Sequence, residues 1–188
     1  MASARWRAGP GAAFALAVAV GAAVVLAAAG ISAVRSKANR VPVASLTREV
    51  FVSEQITPDR LAQLRRDGFR SIIDLRPDGE ASDQMPSADV QRLARENGLG
   101  FAYVPVQHGE IASTTVDALA ASLQSVPKPV LLYCRTGRRA ARTWALAEAS
   151  RPGGLDAAAI EAALKSAGQP GDDLAGEIGS RIAARSAP

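Results

Sequence analysis

Apolar positions fall into three regimes along the chain. Residues 8–34 carry no charged side chain. Between residues 46 and 168, short apolar runs alternate with stretches in which apolar residues recur every third or fourth position. The last segment, 169–188, is polar and Gly-rich and reads as a short helix or a disordered end. Four runs in the middle regime predict strands: EVFV at 49–52, SIIDL at 71–75, FAYVPV at 101–106 and VLLY at 130–133. The last is apolar throughout, as a strand buried on both faces must be.

Helical patterns lie between them. Thr57-Pro58-Asp59 is a helix start, with Thr57 as N-cap, Pro58 at the first helical position and Asp59 on the positive end of the dipole. Leu61 and Leu64 mark its inner stripe, and Gly68 ends it. Ser87 is expected to cap a helix that turns Val90, Leu93 and Ala94 inward and closes near Gly98. Ser113 or Thr114 is expected to cap another, carrying Val116, Leu119 and Leu123. Residues 139–149 and 155–167 read as two more helices, the second with Ile160 and Leu164 on one face. Arg76-Pro77-Asp78-Gly79-Glu80 must be a loop. Strands alternating with helices predict an α/β fold, a central mostly parallel sheet flanked by helices on both faces. In such sheets ligands sit at the carboxyl ends of the strands.

The N-terminal regime reads differently. Residues 12–34 are 23 uncharged residues, about 34 Å of helix against a bilayer core of roughly 30 Å. One transmembrane helix is expected there. A cleaved signal peptide is the rival, with Ala29 and Gly30 as small residues for a peptidase, but its apolar region usually runs to about 7–15 residues. Arg5 and Arg7 precede the segment and Arg35, Lys37 and Arg40 follow it, nearly a tie under the positive-inside rule. Residues 1–34 are thus expected to anchor the chain, and residues 35–45 to form a polar tether.

Charge narrows the function. Of 22 basic and 18 acidic residues, five basic and no acidic ones precede residue 41. The rest holds 17 basic against 18 acidic residues. The pI near 9.8 is therefore set largely by the flanks of the apolar segment, and no diffuse positive field remains for nucleic acid. One cysteine excludes an internal disulfide framework, and one histidine with one cysteine argues against a zinc site.

The chemistry is expected where VLLY meets the following helix, in Cys134-Arg135-Thr136-Gly137-Arg138-Arg139. There Cys134 stands at a helix N-terminus on the carboxyl edge of the sheet. Loop amides and the helix dipole favour an anion at that point, and with three nearby arginines they should lower the Cys134 thiol below a free thiol. That makes Cys134 a candidate nucleophile. Gly137 suits a tight cradle, and Arg139 can offer a planar fork to two oxygens of an oxyanion. Arg135, Thr136, Gly137 and Arg138 complete the candidate anion-binding loop.

This loop resembles the active loop of cysteine-dependent phosphatases and of rhodaneses. With VSEQITP at 52–58, SIIDLRPDGE at 71–80 and YVPV at 103–106, followed by YCRTGRR at 133–139, the chain resembles the phosphatase-like domain of the bacterial beta-lactamase hydrolase-like protein family. The resemblance covers roughly residues 46–167. It implies a dual-specificity-phosphatase-like fold over 46–168, Cys134 as nucleophile, Arg139 as oxyanion binder and no cofactor or metal. With the apolar segment, it implies a bacterial inner-membrane protein, its domain on the periplasmic side.

Two features qualify that reading. The phosphatase signature has five residues between cysteine and arginine; here there are four, and position 140 is alanine. Rhodanese-type loops have this shorter length. Related phosphatases carry an acidic aspartate after the strand equivalent to YVPV, whereas here the loop reads Gln107-His108-Gly109-Glu110. His108, Glu110 and Asp78 are the candidate general acids, with Glu80 on the same edge. Arg76 is a second anion contact or pairs with Asp78 or Glu80. The leading expectation is a membrane-anchored hydrolase of small-molecule or protein phosphate esters working through a Cys134 phosphoenzyme. The alternatives are a sulfurtransferase that takes sulfur from a sulfane donor onto a Cys134 persulfide, and a non-catalytic anion-binding module.

Overall fold

The computed structural model describes residues 42–185. The expected membrane segment at 12–34 and most of the expected tether lie outside the described residues. Among the described residues, no helix is long and apolar enough to cross a membrane.

Five strands form one sheet: β1 Val43–Ser45, β2 Val50–Ser53, β3 Ser71–Asp74, β4 Gly100–Tyr103 and β5 Val130–Tyr133. Their spatial order is β1-β2-β5-β3-β4. β2, β5, β3 and β4 run parallel, and β1 pairs antiparallel with β2. β5 is therefore central, and all four of its residues are buried, which explains its unbroken apolarity. Parallel strands need crossovers, and three helices supply them: α1 Pro58–Arg66, α2 Ser87–Glu96 and α3 Ser113–Ser125; α4 Arg138–Ser150 follows the last strand. α5 Ala157–Ser166 and α6 Ala175–Arg185 follow, with a 3₁₀ turn at Asp172–Leu174 between them.

Each face of the sheet has its own core. Ile72, Leu131 and Tyr133 pack with Leu61 and Leu64 of α1 and Val90 and Ala94 of α2. Ile73, Leu75, Val130 and Leu132 face the other side, against α3, α4, α5 and α6. α4 is buried on most of its surface because it packs against α3, α5, α6 and the sheet. Its alanines at 140, 141, 145, 147 and 149 permit that close approach, and Trp144 fills the remaining volume.

The structure corrects several expectations. The end of the expected tether is strand β1, with Val43 opposite Ser53 and Ser45 opposite Phe51. It covers an edge of β2 that would otherwise expose unpaired backbone. The segment after Gly168 packs onto the fold, with Leu174 and Ile178 buried in the same core as α4 and α5. Arginines dock this C-terminal segment, among them Arg181, whose Nη1 donates to Ser150 Oγ at 3.1 Å. Arg142 grips Asp173 with two bonds of 2.7 Å. Arg185 of α6 donates to the carbonyls of Glu148, Arg151, Gly154 and Leu155, at 2.8, 3.1, 3.0 and 2.7 Å. Thr57 is the N-cap of α1, but its side chain makes no capping bond; its carbonyl accepts from the Arg60 N–H at 3.0 Å. Ser87 is the first residue of α2, not its cap. β4 ends at Tyr103 rather than Val106, since Pro105 has no N–H. The ladder continues irregularly, with Val104 donating to Asp74 at 2.9 Å and Val106 to Leu75 at 3.0 Å.

Candidate active site

Strand β5 delivers Cys134 to the carboxyl edge, and four residues later α4 begins. The turn depends on Gly137, the N-cap of α4, at φ 83°. An L side chain is strained in that region, and a Cβ would stand 3.2 Å from both the Ser53 carbonyl oxygen and Gln169 Nε2. Two neighbours hold the loop by its carbonyls: Gln55 N–H donates to Arg135 at 3.3 Å, and Gln169 Nε2 donates to Thr136 at 3.2 Å.

The loop amides are uncommitted. The first bond of α4 runs from Ala141 N–H to the Gly137 carbonyl at 3.0 Å. Among the described residues, no protein acceptor takes the N–H groups of Arg135, Thr136, Gly137, Arg138, Arg139 or Ala140. Six successive donors thus follow Cys134, at the positive end of a helix with no acidic residue in its first turn. That is the chemistry of an anion site. Cys134 itself is 1% exposed and lies beneath the loop.

Arg139 is held from behind. Its Nη1 donates to the Val106 carbonyl at 2.7 Å, and its Nη2 lies 2.6 Å from Glu80 Oε1 in an ion pair. Glu80 is the hub of the edge. Its Oε2 accepts from Arg76 Nε at 2.7 Å, and His108 Nε2 lies 2.9 Å from its Oε1. Arg76 Nη1 also donates to Gln55 Oε1 at 2.9 Å. Burial pushes the Glu80 pKa up, but Arg76 and Arg139 outweigh it, so it lies below the usual carboxylate value.

The candidate residues separate by this geometry. Arg139 and His108 meet on Glu80, His108 with its side chain 73% exposed, and Cys134 stands at the other end of the loop that leads to Arg139. Arg76 is buried and committed to Glu80 and Gln55, so it supports the site from behind. Glu110 is exposed and forms no ion pair or hydrogen bond among the described residues. Asp78 is engaged elsewhere: its carboxylate accepts from the Ser87 N–H and hydroxyl, each at 2.7 Å, and so caps α2. Arg135, Thr136 and Arg138 are exposed at the mouth.

Sequence reasoning missed Gln55 and Gln169, which hold the loop; it read Glu80 as an acid on this edge or a partner of Arg76, and missed its contacts with Arg139 and His108. A further buried carboxyl lies on the same edge. Asp74 sits in register between Tyr103 and Tyr133 and accepts from the Arg76 N–H at 2.8 Å. Burial raises its pKa to about 6, against the lowering effect of Tyr133 and the Arg76 N–H.

Comparison with known proteins agrees with this picture. The family model described as "Beta-lactamase hydrolase-like protein, phosphatase-like domain" matches residues 42–151. The beta-lactamase hydrolase-like protein of Xylella fastidiosa (strain Temecula1) is 33% identical over 106 residues, 56% of this chain. The match spans only 25% of that relative's length. A phosphatase candidate from Neisseria meningitidis superposes with a TM-score of 0.64 at 26% identity, covering 73% of this chain and 96% of that one. A second, from Shewanella putrefaciens, superposes with a TM-score of 0.62 at 17% identity, covering 82% and 99%.

Proposed function

The chain belongs to the phosphatase-like domain family of the beta-lactamase hydrolase-like proteins, and from that premise we propose that it hydrolyses phosphate esters through a Cys134 phosphoenzyme. The observation that carries the proposal is the run of six uncommitted N–H groups from Arg135 to Ala140 around a cysteine at the end of the central strand.

The loop amides and Arg139 bind the equatorial oxygens of the phosphoryl group, where charge gathers in the transition state. The Cys134 thiolate attacks phosphorus; the S–P bond forms as the P–O bond to the leaving group breaks. A protonated His108 gives its proton to the departing oxygen. Water then attacks the phosphocysteine and passes a proton to His108. The S–P bond breaks, inorganic phosphate leaves and the thiolate is restored. His108 is preferred because Glu80 holds it beside Arg139, whereas Asp78 is occupied by Ser87 and Glu110 by nothing. Residues 12–34 support a bacterial inner-membrane anchor for this activity, testable by carbonate extraction of membranes from cells making the full chain.

The test is turnover by the purified full chain. Cys134→Ser abolishes hydrolysis of p-nitrophenyl phosphate while the circular dichroism spectrum is kept. His108→Gln slows an alkyl phosphate by about 10²-fold or more, and p-nitrophenyl phosphate much less, since nitrophenolate needs little protonation. Unchanged turnover in Cys134→Ser overturns the proposal. The four-residue spacing favours sulfur transfer as a second reading. A mass gain of one sulfur atom on Cys134 after thiosulfate treatment, cleared by cyanide, would put that reading first.

A further inference from the structure

Four arginines crowd the carboxyl edge of the sheet, and they divide into two kinds. Arg76 and Arg139 are largely buried and share the Glu80 carboxylate. Arg135 and Arg138 are exposed, and among the described residues neither forms an ion pair or a side-chain hydrogen bond. Arg138 acts electrostatically on Asp173, but both oxygens of that carboxylate are already held by Arg142.

The placement of this second pair is costly without a purpose. Arg138 is the first residue of α4, where the dipole disfavours a cation, and no acidic residue in that turn relieves it. Cys134 is buried while Arg135 and Arg138 are exposed, so the two arginines belong to the solvent side of the loop. The groups they can meet are those beyond the phosphoryl group, on the leaving-group side. The neighbouring exposed segment, Gln107-His108-Gly109-Glu110, offers no apolar side chain to an aryl leaving group.

We infer that the substrate is a phosphate ester or anhydride with a second anionic group, most simply a second phosphoryl group, which Arg135 and Arg138 bind. This rests on the proposed hydrolase and names its substrate class. The loop floor sets the reaction; the two mouth arginines set which leaving groups are held there.

The experiment compares orthophosphate and pyrophosphate as competitive inhibitors of p-nitrophenyl phosphate turnover by the full chain. Pyrophosphate should bind about tenfold more tightly than orthophosphate, as two exposed ion pairs at the mouth allow. In R135Q/R138Q that ratio should fall toward one. Equal inhibition in the unaltered protein overturns the inference while leaving the hydrolase intact. So does a ratio that the double variant does not move. If p-nitrophenyl phosphate is not turned over at all, the hydrolase reading fails separately. Calorimetric titration of the same two anions into both proteins then still reads the ratio, with the same outcomes.

Discussion

Glu80 Oε1 stands 2.6 Å from Arg139 Nη2, while Glu80 Oε2 accepts from Arg76 Nε at 2.7 Å. One carboxylate from the loop after β3 thus binds two guanidiniums, one of them in the first turn of α4. The arrangement turns the planar group of Arg139 and holds it beside the amide loop. A bidentate oxyanion contact needs that orientation before substrate arrives.

Glu80→Gln should therefore fail in two measurable ways. It leaves Arg76 and Arg139 buried without an anion, a defect worth about 3 kcal/mol in urea unfolding. It also frees Arg139, and a misplacement of about 1 Å lowers kcat by about 10²-fold. The pH dependence has a definite sign. The folded pKa of Glu80 is depressed, so its stabilisation is present above the unfolded value, near 4.3, and is lost as pH falls through the lower folded value. The variant should show a flatter acid limb below about pH 4. An acid limb as steep as that of the unaltered protein would count against the hub.

Asp74 predicts the opposite trend. Its folded pKa is raised from 3.8 to about 6. Protonated Asp74 therefore favours the folded state below about pH 4, and that advantage disappears as pH rises through 6. Asp74→Asn keeps an acceptor for the Arg76 N–H and removes the titration. Between pH 4 and 7 the unaltered protein should lose on the order of 3 kcal/mol relative to the variant. Parallel stability curves, from urea melts at each pH, would show that Asp74 does not titrate in this window.

Gly137→Ala should separate catalysis from folding. The φ of 83° costs an alanine about 1–2 kcal/mol, and its Cβ presses on Ser53 and Gln169 at 3.2 Å. The fold can absorb that cost, but the donors of the loop would shift. Loss of a single oxyanion donor costs about 10²-fold in kcat, so turnover should fall by at least that much with a modest drop in melting temperature. A variant with full turnover would remove the loop from the catalytic site.

Local patterns were legible in the sequence, and long-range partnerships were not. The strand at 130–133 falls where its apolar run places it, because burial on both faces leaves an unbroken pattern. The Cys134 loop was legible for a related reason: a buried strand followed at once by arginine and glycine admits few structures. Strand β1 was hidden because three residues in a polar stretch owe their conformation to pairing with β2. Helix α6 stood open between a short helix and a disordered end, because Arg185 and the buried Ile178 tie it down, contacts that no local period reports. Asp78 read as a turn residue or an acid, since nothing nearby announces that Ser87, nine positions on, is its partner. The convergence of Arg76, His108 and Arg139 on Glu80 is a property of the sheet edge and not of any segment.

Gly154 and Arg185 make the sharpest stability test. A Cβ at Gly154 would overlap the Glu148 carbonyl oxygen and lie 2.5 Å from Arg185 Nη1 and 2.9 Å from the Arg151 carbonyl oxygen. Gly154→Ala must either open the turn after α4 or expel the guanidinium that satisfies four carbonyls there. Steric strain of about 1–3 kcal/mol and carbonyls stripped of their donor both follow. Gly153→Ala is the control: its φ is +69° with no atom within 4 Å, so only the backbone cost of about 1–2 kcal/mol applies. Arg185→Ala strips the same carbonyls directly. Because Gly154→Ala and Arg185→Ala damage one contact, their effects should not add; the double variant should unfold at nearly the urea midpoint of the worse single variant. Additive losses would mean that Gly154 serves the turn alone, and that α6 is docked by its apolar face rather than by Arg185.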